Sequence, residues 1–86
     1  MPIWHRKIDV RPSVHYYAET SDIPGTAERA VKIIEESGWL ADTPYPDTLR
    51  DHLNRLKQAR TVSQYTDAFE WIYDVADIDR VWIETS

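Results

Sequence analysis

Residues 61–85 read TVSQYTDAFEWIYDVADIDRVWIET, and the change of period inside this stretch decides the fold. Tyr65, Ala68, Phe69, Ile72, Val75 and Ala76 recur at three- and four-residue spacing, which is one face of a helix ending near Ala76. Thr61, with Gln64 three residues on, forms a capping box that opens this helix. From Arg80 to Thr85 the pattern alternates instead. Val81 and Ile83 point one way, Trp82 and Glu84 the other, and the period of two predicts a strand. A helix and a strand, each with one apolar face, imply a domain in which helices cover a sheet.

Upstream, a second helical pattern runs from about Asp47 to Ala59, with Leu49, Leu53 and Leu56 on its stripe. Thr48 with Asp51 resembles a capping box there, aspartate replacing the usual glutamate. A first helix has Thr26 as its expected N-cap and Ala27, Ala30, Val31 and Ile34 as its apolar stripe. Ser37-Gly38-Trp39 reads as its end, with Gly38 in a left-handed cap and Trp39 folded back on Ile34. Between the prolines that follow, Trp39, Leu40 and Tyr45 are expected to plug the ends of the core, a rigid docking loop being the other reading.

The N-terminal stretch reads as a hairpin. Ile8 and Val10 share one face of an alternating segment, Val14, Tyr16 and Ala18 one face of the next, with Arg11-Pro12-Ser13 as the turn. In this register Asp9 faces His15 and Lys7 faces Tyr17 on the outer side. The predicted order is therefore β-β-α-α-α-β. The fold class is a single small α+β domain over residues 1–86, with a three-stranded antiparallel sheet and the helices on one face.

Composition narrows the chemistry. The 86 residues, 42% hydrophobic and 12% aromatic, suit one compact core. With no cysteine, disulfides, thiolate metal sites and a cysteine nucleophile are excluded. Apolar runs are too short to span a bilayer and no signal-peptide core follows the first charges, so the expected setting is cytoplasmic, away from membranes. His5, His15 and His52 have no metal-ligand spacing, and no serine lies in a G-x-S-x-G setting. Two glycines, Gly25 and Gly38, make no phosphate loop. The expectation is no enzyme, no cofactor and no metal.

Charge is the informative feature. The net charge is −5, and residues 1–60 hold nine acids against nine bases. Residues 61–86 hold Asp67, Glu70, Asp74, Asp77, Asp79 and Glu84 against Arg80 alone, which is the whole imbalance. On the third helix Asp67, Glu70, Asp74 and Asp77 fall within about 80° of arc opposite the apolar stripe. Like charges one turn apart cost a few tenths of a kcal/mol per pair, roughly, and Asp74 and Asp77 also oppose the helix dipole. Three readings account for this face. It aids solubility, it bridges to Arg50, Arg55, Lys57 or Arg60 of the preceding helix, or it meets a basic partner.

The outer sheet face is the second candidate site, through Tyr17 and Trp82 beside Lys7, His5 and His15. These residues together predict a binding protein, a regulator or inhibitor of another protein. The acidic helix or the aromatic face carries the contact, and the partner presents a basic surface of the kind that holds nucleic acid. Small acidic chains without cysteine suit bacterial or phage accessory proteins. Self-pairing over Trp82 and Tyr17 would give a homodimer. Single-strand nucleic-acid binding by the sheet and the basic N-terminal strand is the alternative, disfavoured by overall acidity. A small enzyme or metal protein is the third class.

Overall fold

The computed structural model describes residues 6–10 and 22–84. Their element order is β1 Arg6–Asp9, α1 Ile23–Glu36, α2 Trp39–Asp42, α3 Pro46–Lys57, α4 Val62–Asp79 and β2 Val81–Glu84. Among these residues the sheet has two strands, and they run parallel, with Arg6 opposite Val81, Lys7 opposite Trp82, Ile8 opposite Ile83 and Asp9 opposite Glu84.

This overturns the three-stranded antiparallel sheet expected from the sequence. Period-two alternation tells which side chains face the core, and it carries no information about strand direction. Parallel neighbours need a long crossover, usually helical, and here helices α1 to α4 supply it. Lys7 was expected to face Tyr17 in a hairpin. In β1 it instead lies opposite Trp82 and pairs with Glu84 at 3.7 Å. Val14, Tyr16 and Ala18, the other arm of the expected hairpin, lie outside the described residues.

The core follows the stripes. Ile8, Val10 and Ile83 are buried with Ala27, Ala30, Val31 and Ile34 of α1, Leu49, Leu53 and Leu56 of α3, and all six stripe residues of α4. Val81 is partly buried against this cluster. The pairing of α3 with α4 is the most extensive contact between helices.

Helix ends correct the sequence in detail. Asp22, not Thr26, caps α1: its side chain accepts from the Gly25 N–H at 3.1 Å, and Pro24 occupies the first turn, where no N–H is needed. Thr26 lies one turn further in and is fully buried. At α3 the Thr48–Asp51 box does not form, because Pro46 starts the helix earlier and Tyr45 stands at the cap without a side-chain bond. The Thr61–Gln64 box of α4 does form, the Thr61 hydroxyl accepting from Gln64 N–H at 3.1 Å and Gln64 Oε1 from Thr61 N–H at 3.3 Å. Gly38 takes the left-handed conformation (φ 87°) that ends α1, as its position after Ser37 predicts.

Candidate acidic and aromatic docking surface

α4 continues one turn past Ala76 to Asp79, and its last turn carries a part-buried polar junction. Asp79 Oδ2 accepts from the Trp39 indole N–H at 2.8 Å and from the Thr43 hydroxyl at 2.7 Å. The Thr43 oxygen in turn accepts from Tyr45 N–H at 3.1 Å. Trp39 is 1% exposed, so its indole N–H has no access to water and requires this acceptor. The junction ties α2 to the C-terminal end of α4. Trp39 and Leu40 therefore close the core, while Tyr45 stays exposed.

This sorts the six acids of residues 61–86. Asp79 serves the junction, and Glu84 pairs with Lys7 across the sheet. Asp67, Glu70, Asp74 and Asp77 are all exposed, and among the described residues none of their carboxylates forms an ion pair or hydrogen bond. The bases expected to reach them are engaged elsewhere. Arg50 pairs with Asp47 at 3.1 Å, Arg55 with Asp51 at 3.4 Å and Lys57 with Glu35 at 3.8 Å. Arg60 donates to the Ala59 carbonyl. Thus α3 is a helix of mixed, mutually paired charge, and α4 presents one sign.

Apolar side chains flank the acids on both sides. Trp71 is 41% exposed on the α3 side, with the Arg55 guanidinium 4.6 Å from its ring centre and the His52 ring 5.8 Å away. Ile78, exposed too, stands near Trp71 in helical projection. Tyr73 and Trp82 flank the other side. Trp82, 58% exposed, lies on the outer face of β2 as the alternation predicted. An open groove of about 570 Å³ runs between α4 and β2, lined by Tyr73, Ala76, Asp77, Arg80, Val81, Trp82 and Ile83.

Of the residues singled out in the sequence, Asp67, Glu70, Asp74 and Asp77 thus share one face. Trp82 adjoins that face across the groove. Tyr17, with His5 and His15, lies outside the described residues. Trp71, Tyr73 and Ile78 were not anticipated, although their angles on the helical projection fall outside the buried stripe and on the edges of the acidic arc. Among the described residues no three His, Asp or Glu side chains gather in a way that would hold a metal ion, and no helix is long and apolar enough to cross a membrane. Comparison of the chain with protein-family models, characterised proteins and solved structures finds no match.

Proposed function

We propose that the protein is a non-enzymatic binding protein, a regulator or inhibitor that docks on a basic surface of a partner protein through the exposed face of α4. One observation carries this reading: among the described residues the four carboxylates of that face lack counter-ions, while Arg50, Arg55 and Lys57 of neighbouring α3 each pair with a carboxylate. A face meant only to be solvated is more stable with alternating signs, as on α3. Uncompensated charge beside exposed Trp71, Tyr73 and Ile78 combines long-range attraction with apolar contact area, which is how a docking surface gains both on-rate and lifetime. The partner's cations would be of the kind that otherwise hold nucleic-acid phosphates.

The outer sheet face supports nucleic-acid binding less well. Lys7, its described cation, is already paired with Glu84, and the neighbouring surface is acidic.

The test uses immobilised parent protein and the double variant Glu70→Lys/Asp74→Lys, each exposed to cell extract at low and moderate salt. Proteins of high isoelectric point should be captured by the parent, lost from the variant and released by salt, while both proteins keep the same circular dichroism. Capture of the same set by both proteins, at both salt concentrations, refutes the role of this face.

A further inference from the structure

The exposed side of α4 has a period of its own. Asp67, Trp71, Asp74 and Ile78 follow one another at four, three and four residues. That spacing sets them along one seam of the helix, about 17 Å from end to end. All four are exposed, Ile78 the most at 66%. The seam therefore alternates acid and apolar: Trp71 and Ile78 stand about 10.5 Å apart along the axis, with Asp74 between them. Its two flanks differ. Ala68 and Val75, one residue after each aspartate, are buried, whereas Glu70 and Asp77, one residue before each apolar member, are exposed on the side away from α3. On the α3 side Arg55 and His52 hold the Trp71 ring. An open cleft of about 280 Å³ between the two helices begins there, with Asp67 and Trp71 on one wall and Arg55 and Gln58 on the other.

We propose that this seam takes an amphipathic helix of the partner, in which lysine or arginine alternates with apolar residues at three- and four-residue spacing. The occupant's charge rests on the reading of α4 given above; its helical form rests on the seam. Two helices packed close to parallel match side chains every three and four residues, so one face of a partner helix meets all four members in register. Its apolar side chains cover Trp71 and Ile78, and its cations reach Asp67 and Asp74, with Glu70 and Asp77 beside them. Among the described residues none of these carboxylates has a cation of its own. Arg55 does not fill that role, because its side chain pairs with Asp51 at 3.4 Å and its guanidinium lies over the Trp71 ring. Ala59 and Ala68 line the cleft beside the seam, and their small side chains leave space for a neighbouring row of the incoming helix. A second copy of this chain is the poorer occupant. Packing α4 on α4 would bring the same four carboxylates of both copies together in molecules that each carry a net charge of −5.

Capped synthetic peptides of about three heptads separate the possibilities. In the first, leucine and lysine alternate along one helical face at three- and four-residue spacing. The second has the same composition shuffled around the helix, and the third is the first with glutamate in place of lysine. Each is titrated into isotope-labelled full-length protein and into its Ile78→Ser variant, which alters an exposed side chain and leaves the core untouched. The patterned peptide is expected to shift the amides of residues 67–78 and the Trp71 indole signal, and to bind roughly tenfold or more tighter than the shuffled one. Ile78→Ser should weaken it roughly fivefold. The glutamate peptide should not bind. Equal affinity of the patterned and shuffled peptides, or a change below about twofold in Ile78→Ser, overturns the helical seam while leaving the acidic face as a binding surface. Equal binding of the glutamate peptide overturns both the seam and the charge complementarity of the face. Absence of binding by all three overturns the seam, and the charge-reversal experiment then decides separately about the face. A sedimentation mass that doubles with protein concentration and returns to that of the monomer in Ile78→Ser would assign the seam to a second copy and also overturn the proposal.

Discussion

Removing the Asp79 carboxylate tests how the candidate surface is held. Asp79→Ala deletes the acceptor of two hydrogen bonds, at 2.8 Å from Trp39 and 2.7 Å from Thr43. Hydrogen bonds to a charged group contribute about 1.5–3 kcal/mol each, and an orphaned buried donor costs about 1–3 kcal/mol. The two bonds share one oxygen, so their contributions do not simply add, and the carboxylate's own desolvation offsets part of them. The expected loss of stability is about 2–4 kcal/mol for Asp79→Ala. Asp79→Asn keeps a carbonyl acceptor without the charge, and should lose about half as much.

The assay is urea denaturation followed in parallel by tryptophan fluorescence and far-ultraviolet circular dichroism, with the slope of the transition checked for constancy. Trp39→Phe supplies the second arm of a cycle, since phenylalanine fills most of the ring's volume and has no N–H. Coupling between the two sites should be about 1–2 kcal/mol. A loss below about 1 kcal/mol for Asp79→Ala, or additivity of the two variants within about 0.5 kcal/mol, would refute the idea that this junction anchors the end of α4.

Other expectations follow from single contacts. Phe69 is 5% exposed and lies between the rings of Tyr65 and Tyr73, at 5.2 Å and 5.7 Å, so Phe69→Ala should cost about 3–5 kcal/mol in chemical denaturation; under about 1 kcal/mol would contradict its place in the core. Arg80 has a φ of 61°, a conformation glycine adopts freely, and Arg80→Gly should raise stability by roughly 0.5–1 kcal/mol, seen as a higher urea midpoint. Trp71→Ala should lose about 1 kcal/mol, with Arg55→Gln non-additive to it if the guanidinium contact matters in solution. Glu70→Lys/Asp74→Lys should leave thermal stability unchanged or slightly higher, because repulsion one turn apart is relieved and a cation nearer the C-terminus suits the helix dipole; a fall of more than about 1 kcal/mol would mean these carboxylates serve the fold.

Much of the fold was legible because it depends on side-chain periodicity. Tyr65, Ala68, Phe69, Ile72, Val75 and Ala76 were read as one stripe from their spacing, and all six are buried. Ile8, Val10 and Ile83 likewise fall inside, and Trp82 outside, as alternation requires. What spacing cannot encode is which strands pair and in which direction. That depends on how a chain of helices returns to the sheet, and here the return places β2 parallel to β1. The Asp79 junction was hidden for a similar reason. Its partners, Trp39 and Thr43, are remote in sequence, and by spacing alone Asp79 was one more acid in an acidic segment. The four carboxylates of α4 were legible because their arc needs only local geometry. Their lack of counter-ions became visible only with the contacts of α3 in place.

The junction between α4 and β2 connects the two halves of the candidate surface. Arg80 turns the chain from helix to strand in one left-handed residue, its N–H bonded to the carbonyls of Ala76 and Asp77. A longer loop would let β2 drift from α4; this turn holds them side by side, with the groove between them open to solvent. Asp77 stands on one wall of that groove and Ile83 on the other. Non-glycine residues in this conformation cost of order 1 kcal/mol. The single base of residues 61–86 thus stands at a strained turn in the wall of that groove, which it shares with Asp77, and among the described residues it pairs with no carboxylate.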